Sequence, residues 1–310
     1  MATSITTTYA GEFAGKYISA ALLSADTIEG GGITVKPNVK YKEVMKTLST
    51  DALVKDADCD FADQSTVTLA ERVLTPKEFQ VNLSLCKQDF HSDWEAVQMG
   101  YSAFDTLPPS FADFLLGHIA AKVAQKTEEN IWQGDDSQEG EFDGFTELLA
   151  NDGTVVDATT TETAITAANV ITELGLVVDA IPSAVYGKED LYIYVSQHIA
   201  RSYVRALGGF GSNGLGGNGV NNGGTTWYNG GDLAFDGVKL FVCSGLPDGK
   251  MVAAQKSNLF FGTGLLSDHN EVKLIDMADL DGSQNVRVVM RFTANVQYGI
   301  GSDIVYYTTA

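Results

Sequence analysis

The run from Val286 to Tyr298 puts Val286, Val288, Met290, Phe292, Ala294, Val296 and Tyr298 on one side, and Arg287, Val289, Arg291, Thr293, Asn295 and Gln297 on the other. Period two is the signature of a half-buried β-strand, whose successive side chains point to opposite faces. These 13 residues, at about 3.3 Å each, would span about 43 Å, whereas most strands have roughly 3–10 residues. A strand of this length needs an extended body to lie across, and a compact enzyme core rarely offers one. An Asp at Val288 or Phe292 is therefore expected to prevent folding. A second alternating run, Phe79, Val81, Leu83 and Leu85 interleaved with Gln80, Asn82 and Ser84, reads as another strand.

Between the two lies a long helix. Pro108 and Pro109 precede Ser110 and Asp113, a hydroxyl cap with an acid near the free N–H groups of a first turn. Phe111, Leu115, Ile119 and Val123 then recur at i+4, and Gly134 supplies a stop. The spacing predicts a rod over 110–133, about 33 Å long at 1.5 Å per residue, with its apolar stripe packed in a core. Upstream, residues 1–40 carry Gly30-Gly31-Gly32 and Pro37 and read as an extended arm. A strand with Val67 and Leu69 on one face is expected to pair with the Phe79–Leu85 strand through a turn at Thr75-Pro76-Lys77. The middle section, 141–250, predicts a helix near Ala164–Ala180, a strand at Leu191–Val195 and a helix at Gln197–Leu207, followed by a Gly/Asn-rich loop over 208–224. Asp143, Asp152, Asp236, Asp248 and Asp281 each precede a glycine and mark turns. The fold class is α+β.

Length and charge bound the function. At 310 residues the chain exceeds the roughly 250–300 at which one core stops growing, so two lobes or one elaborated body are expected. The 20 basic and 40 acidic residues give 20 − 40 = −20, which disfavours tight nucleic-acid binding because phosphate recognition needs clustered cations. Enclosure of nucleic acid by a weakly repelling wall stays compatible with that charge. The best apolar run, Phe111–Val123, is interrupted by Asp113, His118 and Lys122, so no membrane span is expected. Met1–Ala25 lacks a basic cluster followed by an apolar block, which predicts a chain made in a cytoplasm. Cys59, Cys86 and Cys243 lack C-x-x-C spacing and read as buried free thiols.

Reactive motifs fail on their mechanics. Gly209–Gly214 and Gly214–Gly219 both fit G-x-G-x-x-G, but neither has a strand before it and a helix after it, and a flexible surface loop explains both. Asp56, Asp58 and Asp60 begin like a calcium loop, yet its sixth position is Phe61 and its twelfth is Val67, so a solvated acidic loop is the reading. Asp89, His91 and Asp93 could share a strand face but lack a nucleophile. No cofactor, metal or catalytic residue is assigned, and the chain is not expected to be an enzyme.

The order of parts resembles a tailed-bacteriophage major capsid protein of the Hong Kong 97-like fold. The resemblance is carried by Leu74-Thr75-Pro76-Lys77 into Val81-Asn82-Leu83 and Leu85–Phe90, by Leu107-Pro108-Pro109-Ser110-Phe111 opening the rod, by Gly140–Phe145 after it, and by Met290–Ala294 running on to Tyr306. It implies an N-terminal arm at 1–40, an extended loop at 41–90, a peripheral domain at 91–140 and 251–310 with spine helix 110–133, and an axial domain at 141–250. It also implies a virion capsid subunit made in the host bacterial cytoplasm. Such a subunit would assemble with itself as pentamers and hexamers into an icosahedral shell around double-stranded DNA. Separate scaffolding, portal or decoration proteins are the implied partners. An apolar face on a projecting strand pair must be covered by a neighbour, which makes Phe79, Val81, Leu83 and Leu85 the subunit-contact candidates. The alternatives are an encapsulin-type compartment shell, a surface carbohydrate-binding module and, last, a hydrolase built on Asp89, His91 and Asp93.

Overall fold

The computed structural model describes residues 26–50, 54, 56–57, 59, 66–86, 109–158, 160–208, 233–264, 273–277 and 282–310, with side chains of the long helix from 117 onward. In chain order, a helical turn α1 (Asp26–Glu29) leads to β1 (Thr34–Lys36), β2 (Glu43–Thr50), β3 (Val67–Leu74) and β4 (Lys77–Cys86). The rod α2 (Pro109–Gln133) is followed by α3 (Phe145–Ala150), β5 (Val156–Asp157), α4 (Val170–Asp179), β6 (Leu191–Ser196) and α5 (Gln197–Gly208). The remainder is strand: β7 (Ala234–Phe235), β8 (Val238–Cys243), β9 (Lys250–Gln255), β10 (Leu259–Thr263), β11 (Lys273–Asp276), β12 (Asn285–Tyr298) and β13 (Val305–Thr308).

The long alternating run is β12, 14 residues in one strand. Its first ten residues pair antiparallel with β4, from Asn285 opposite Cys86 to Ala294 opposite Lys77. Its two ends also pair with β11 and β10. The period-two reading holds along the strand. Val286, Val288, Met290, Ala294, Val296 and Tyr298 are buried, Phe292 is half-buried, and Arg287 and Arg291 are exposed. With β1 this makes a five-stranded sheet.

A six-stranded sheet of order β5-β13-β9-β6-β8-β7 forms the second layer. Its two faces carry separate cores. Ile193, Val195, Met251, Ala253 and Tyr307 pack under α4 and α5, whereas Tyr194, Val252, Ala254 and Tyr306 join Ile131, Trp132, Phe145 and the inner face of the five-stranded sheet. The sequence-based boundary at 250 differs from this arrangement, because β9 and β13 pair inside the sheet of the middle section. Their runs, Met251–Ala254 and Val305–Tyr307, are buried throughout, and a continuous apolar run carries no alternation to show which sheet it joins.

The sequence-based strand pair also needs correction. β3 pairs with β2 along eight residues, from Glu43 opposite Leu74 to Thr50 opposite Val67, while β4 belongs to β12. Thr75 and Pro76 do not reverse the chain as a hairpin would, since a two-residue hairpin uses residues such as Asn-Gly that accept positive φ. That chemistry appears instead at Asp236-Gly237, both at positive φ, between β7 and β8. Asn295 Nδ2 donates to the Thr75 carbonyl at 2.6 Å, fixing the crossover from one sheet to the other.

Residues 26–40, expected within the extended arm 1–40, are built into the body; 1–25 lie outside the described residues. Thr27, Ile33 and Val39 are buried, and β1 runs parallel to β10. The glycine triplet allows this close packing: a Cβ on Gly32 would stand 2.8 Å from the Phe241 ring. Glu128, near the end of α2 and fully buried, accepts from the Thr27 amide at 3.1 Å and from the Thr27 hydroxyl at 2.5 Å, while Trp132 Nε1 donates to that hydroxyl at 2.8 Å. Burial raises the Glu128 pKa, and the Thr27 hydrogen bonds offset only part of that rise. The rod stops as its glycine suggests. The Gly134 amide bonds Asn130 O at 3.2 Å, and a Cβ there would lie 2.3 Å from Phe142 O.

Because Val288 is fully buried in the centre of β12, Val288→Asp would bury an unpaired charge costing several kcal/mol. The variant is expected to lose its cooperative thermal transition by circular dichroism. The adjacent exposed Arg287→Gln should melt with the wild type.

Candidate assembly surface

The sequence-selected contact residues Phe79, Val81, Leu83 and Leu85 all lie on one face of β4, opposite Phe292, Met290, Val288 and Val286 of β12. The chain's own sheet half-buries each of them. The Phe79 ring centroid is 5.6 Å from that of Phe292 and 6.0 Å from that of Phe142. The other edge of β4 pairs with no strand among the described residues.

A larger apolar face lies on the two-stranded ribbon β2–β3. Val44 faces Val73, Lys46 faces Glu71, Leu48 faces Leu69 and Thr50 faces Val67, all on the same side because alternate residues share a face. Leu48 is 65% exposed, Leu69 73% and Val67 59%. A ribbon of two strands is marginal by itself in water, and cross-strand pairs give only about 0.2–1 kcal/mol each. Its outer end therefore leaves Leu48, Val67 and Leu69 exposed to solvent.

The ribbon root is held firmly. On the opposite face Leu74 and Met45 are buried, and Leu74 packs so closely on β10 that a Cβ at Gly262 would lie 2.5 Å from it. Arg72 forms an ion pair with Asp152, and its guanidinium stacks 4.2 Å from the Tyr298 ring centroid. Asp152 also accepts the Tyr298 hydroxyl at 2.6 Å and the Thr154 amide at 2.9 Å. These hydrogen bonds, that of Tyr298 foremost, hold the Asp152 carboxyl well below its ordinary value of 3.8. A second ion pair, Lys36 to Glu43 at 2.7 Å, ties the start of β2 to β1.

Sequence reasoning placed Val67 and Leu69 together on a strand but missed β2 as their partner. The signal was broken, because Val44 and Leu48 face outward while Met45 between them turns into the body at the root. Other sequence candidates fare differently. Asp89, His91 and Asp93, Asp58 and Asp60 of the acidic stretch, and the glycine loop beyond Gly208 lie outside the described residues. Of the three cysteines only Cys243 is buried, Cys86 being intermediate and Cys59 exposed, which corrects the expectation of three buried thiols. In sequence Cys59 stands between Asp58 and Asp60, whose charges favour solvent. Among the described residues no cluster of three or more metal-ligating side chains occurs, and no helix is long and apolar enough to cross a membrane.

A depressed carboxylate stabilises the folded form above its unfolded pKa and loses that contribution as pH falls through the folded one. The Arg72–Asp152 tie should thus be intact above about pH 4 and weaken on further acidification. Proteolytic cleavage near residues 43–74, followed by mass spectrometry, should accelerate in Asp152→Asn already at neutral pH, with the body left intact. Unchanged cleavage would remove this tie from the ribbon's support.

No family model and no curated protein matches the sequence. Solved structures do. The capsid of an empty GTA particle superposes with a TM-score of 0.65 at 11% identity, covering 96% of this chain and 94% of that one. A Mycobacterium phage Ogopogo chain gives 0.61 at 16%, covering 96% and 95%. The capsid of Myoviridae phage XM1 gives 0.58 at 13%, covering 99% and 95%. Agreement over almost the full length of each chain shows that this protein has the Hong Kong 97-like capsid fold.

Proposed function

We propose that this chain is a major capsid protein, the repeated subunit of an icosahedral shell built from pentamers and hexamers around double-stranded DNA. The observation that carries this reading is the exposed Val44, Leu48, Val67, Leu69 and Val73 face on a firmly rooted ribbon, in a chain with a capsid fold. A Leu or Val fully covered by a neighbour contributes about 1.5–3 kcal/mol. Every copy repeats the contact, so modest contacts sum to a stable assembly.

In this reading the ribbon is the extended loop and α2 the spine helix. The five-stranded sheet forms the peripheral domain, and the six-stranded sheet with α4 and α5 the axial domain. The half-covered row Phe79, Val81, Leu83 and Leu85 on the edge strand β4 completes the subunit contact. The role is structural and needs no chemistry of its own. The chain would be made in a bacterial cytoplasm and end in the virion, with scaffolding, portal or decoration proteins as separate partners. A satellite phage P4 procapsid of the same fold includes a size-determination protein. The net charge of −20 keeps enclosed DNA from sticking to the wall.

Negative-stain microscopy and sedimentation of the purified chain are expected to show capsomer rings or closed shells of uniform diameter. Leu48→Lys/Leu69→Glu should retain the wild-type melting temperature, since both side chains are exposed and the new charges pair across the strands, yet remain as subunits or isolated capsomers. Wild-type protein that stays monomeric at its highest soluble concentration with a crowding agent would overturn the proposal. Normal shells from the double variant would remove the ribbon from it.

A further inference from the structure

We infer that the outer side of α5 is a docking groove for an acidic, partly apolar segment of a second copy of this chain. This interface is distinct from the ribbon and rests on the shell reading. Gln197, Ala200, Arg201, Val204 and Arg205 lie along one side of α5 at helical spacing and, with Val242 of β8, line an open groove of about 460 Å³. Its floor is apolar and its rim cationic. Leu207, one further step along the apolar row, is 49% exposed.

The two arginines are the point of interest. The chain has five, and Arg72 is occupied by Asp152. Arg201 and Arg205 are exposed, and neither has an acid partner among the described residues. Their own helix offers none, since Gln197–Gly208 contains no Asp or Glu. At i and i+4 their side chains lie on neighbouring turns with Cβ atoms about 5–6 Å apart, a spacing that suits two carboxylates or one bidentate carboxylate beside an apolar side chain.

Charge complementarity selects the occupant. A copy of this chain carries 40 acidic against 20 basic residues, so two copies repel except where a cationic patch meets an acidic surface. Such patches set register as well as attraction. Nucleic acid fits less well. Phosphate tracking calls for a longer run of cations, and Ala200, Val204 and Val242 give a polyanion nothing to bury against.

The test compares wild type, Arg201→Glu/Arg205→Glu and Arg201→Gln/Arg205→Gln, with benzoylphenylalanine placed at Val204 in an otherwise wild-type chain. Both double variants should fold with unchanged far-ultraviolet circular dichroism. The concentration needed for assembly is expected to rise about tenfold or more in the glutamate variant and less in the glutamine variant, with wild-type assembly weakening as salt is added. In assembled particles the photoprobe should link to a peptide of a second copy that contains Asp or Glu. Wild-type shells with equal assembly of both variants, or a photoprobe that links only to nucleic acid or to nothing, would overturn the groove while leaving the shell reading intact. A wild type that never assembles would overturn both. If the glutamate variant misfolds, the glutamine variant and the photoprobe decide.

Discussion

Strand β12 is the constraint on which the other parts depend. Fourteen residues of extended backbone present two edges of N–H and C=O groups that must be paired wherever they are buried. The structure meets that demand with three different partners, β4 from far upstream in the chain and β10 and β11 from just before β12. Ten residues of β12 are matched by the distant β4, which draws the segment after the ribbon into the body and leaves the ribbon outside. The inner face of the same strand, through Ala294, Val296 and Tyr298, closes the core shared with Trp132, Phe145 and the six-stranded sheet. One strand thus joins the two layers and sets where the exposed part begins.

The exposed part is stiff at its base and apolar at its end. Leu74 is buried, Arg72 is held between Asp152 and Tyr298, and beyond them the ribbon carries Leu48 and Leu69 into solvent. A flexible tether would lose much of the gain of contact to ordering entropy, whereas a rooted ribbon has lost that freedom already on folding. The net charge of −20 works against association, so the proposed contacts belong where the surface is apolar or locally cationic. The ribbon face is the first kind. The side of α5 with Arg201 and Arg205 combines both.

Much of the architecture was legible in the sequence where periodicity was unbroken. The alternation of β12 and β4, the i+4 stripe of α2 with its Gly134 stop, and the β6–α5 boundary at Ser196 all follow from local pattern. Pairing was not legible. Phe79–Leu85 announces a strand, but nothing local says that its partner lies some two hundred residues on and not across Thr75-Pro76. β2 was hidden because Val44, Met45 and Leu48 divide between two faces, Met45 being buried only at the root. The fully buried runs of β9 and β13 have no period to read. The assembly surface was half legible: Val67 and Leu69 marked one strand, while their exposure depends on where the ribbon leaves the body. Residues 26–40 looked like an arm because glycine signals freedom in sequence, yet here it permits the close approach of Gly32 to Phe241.

The most direct test is a cryo-electron-microscopy reconstruction of particles assembled from this chain, refined until side chains of the β2–β3 ribbon are visible. Leu48 and Leu69 should make apolar contacts within about 4 Å of a neighbouring copy. Closed particles in which that face stands open to solvent would contradict the account.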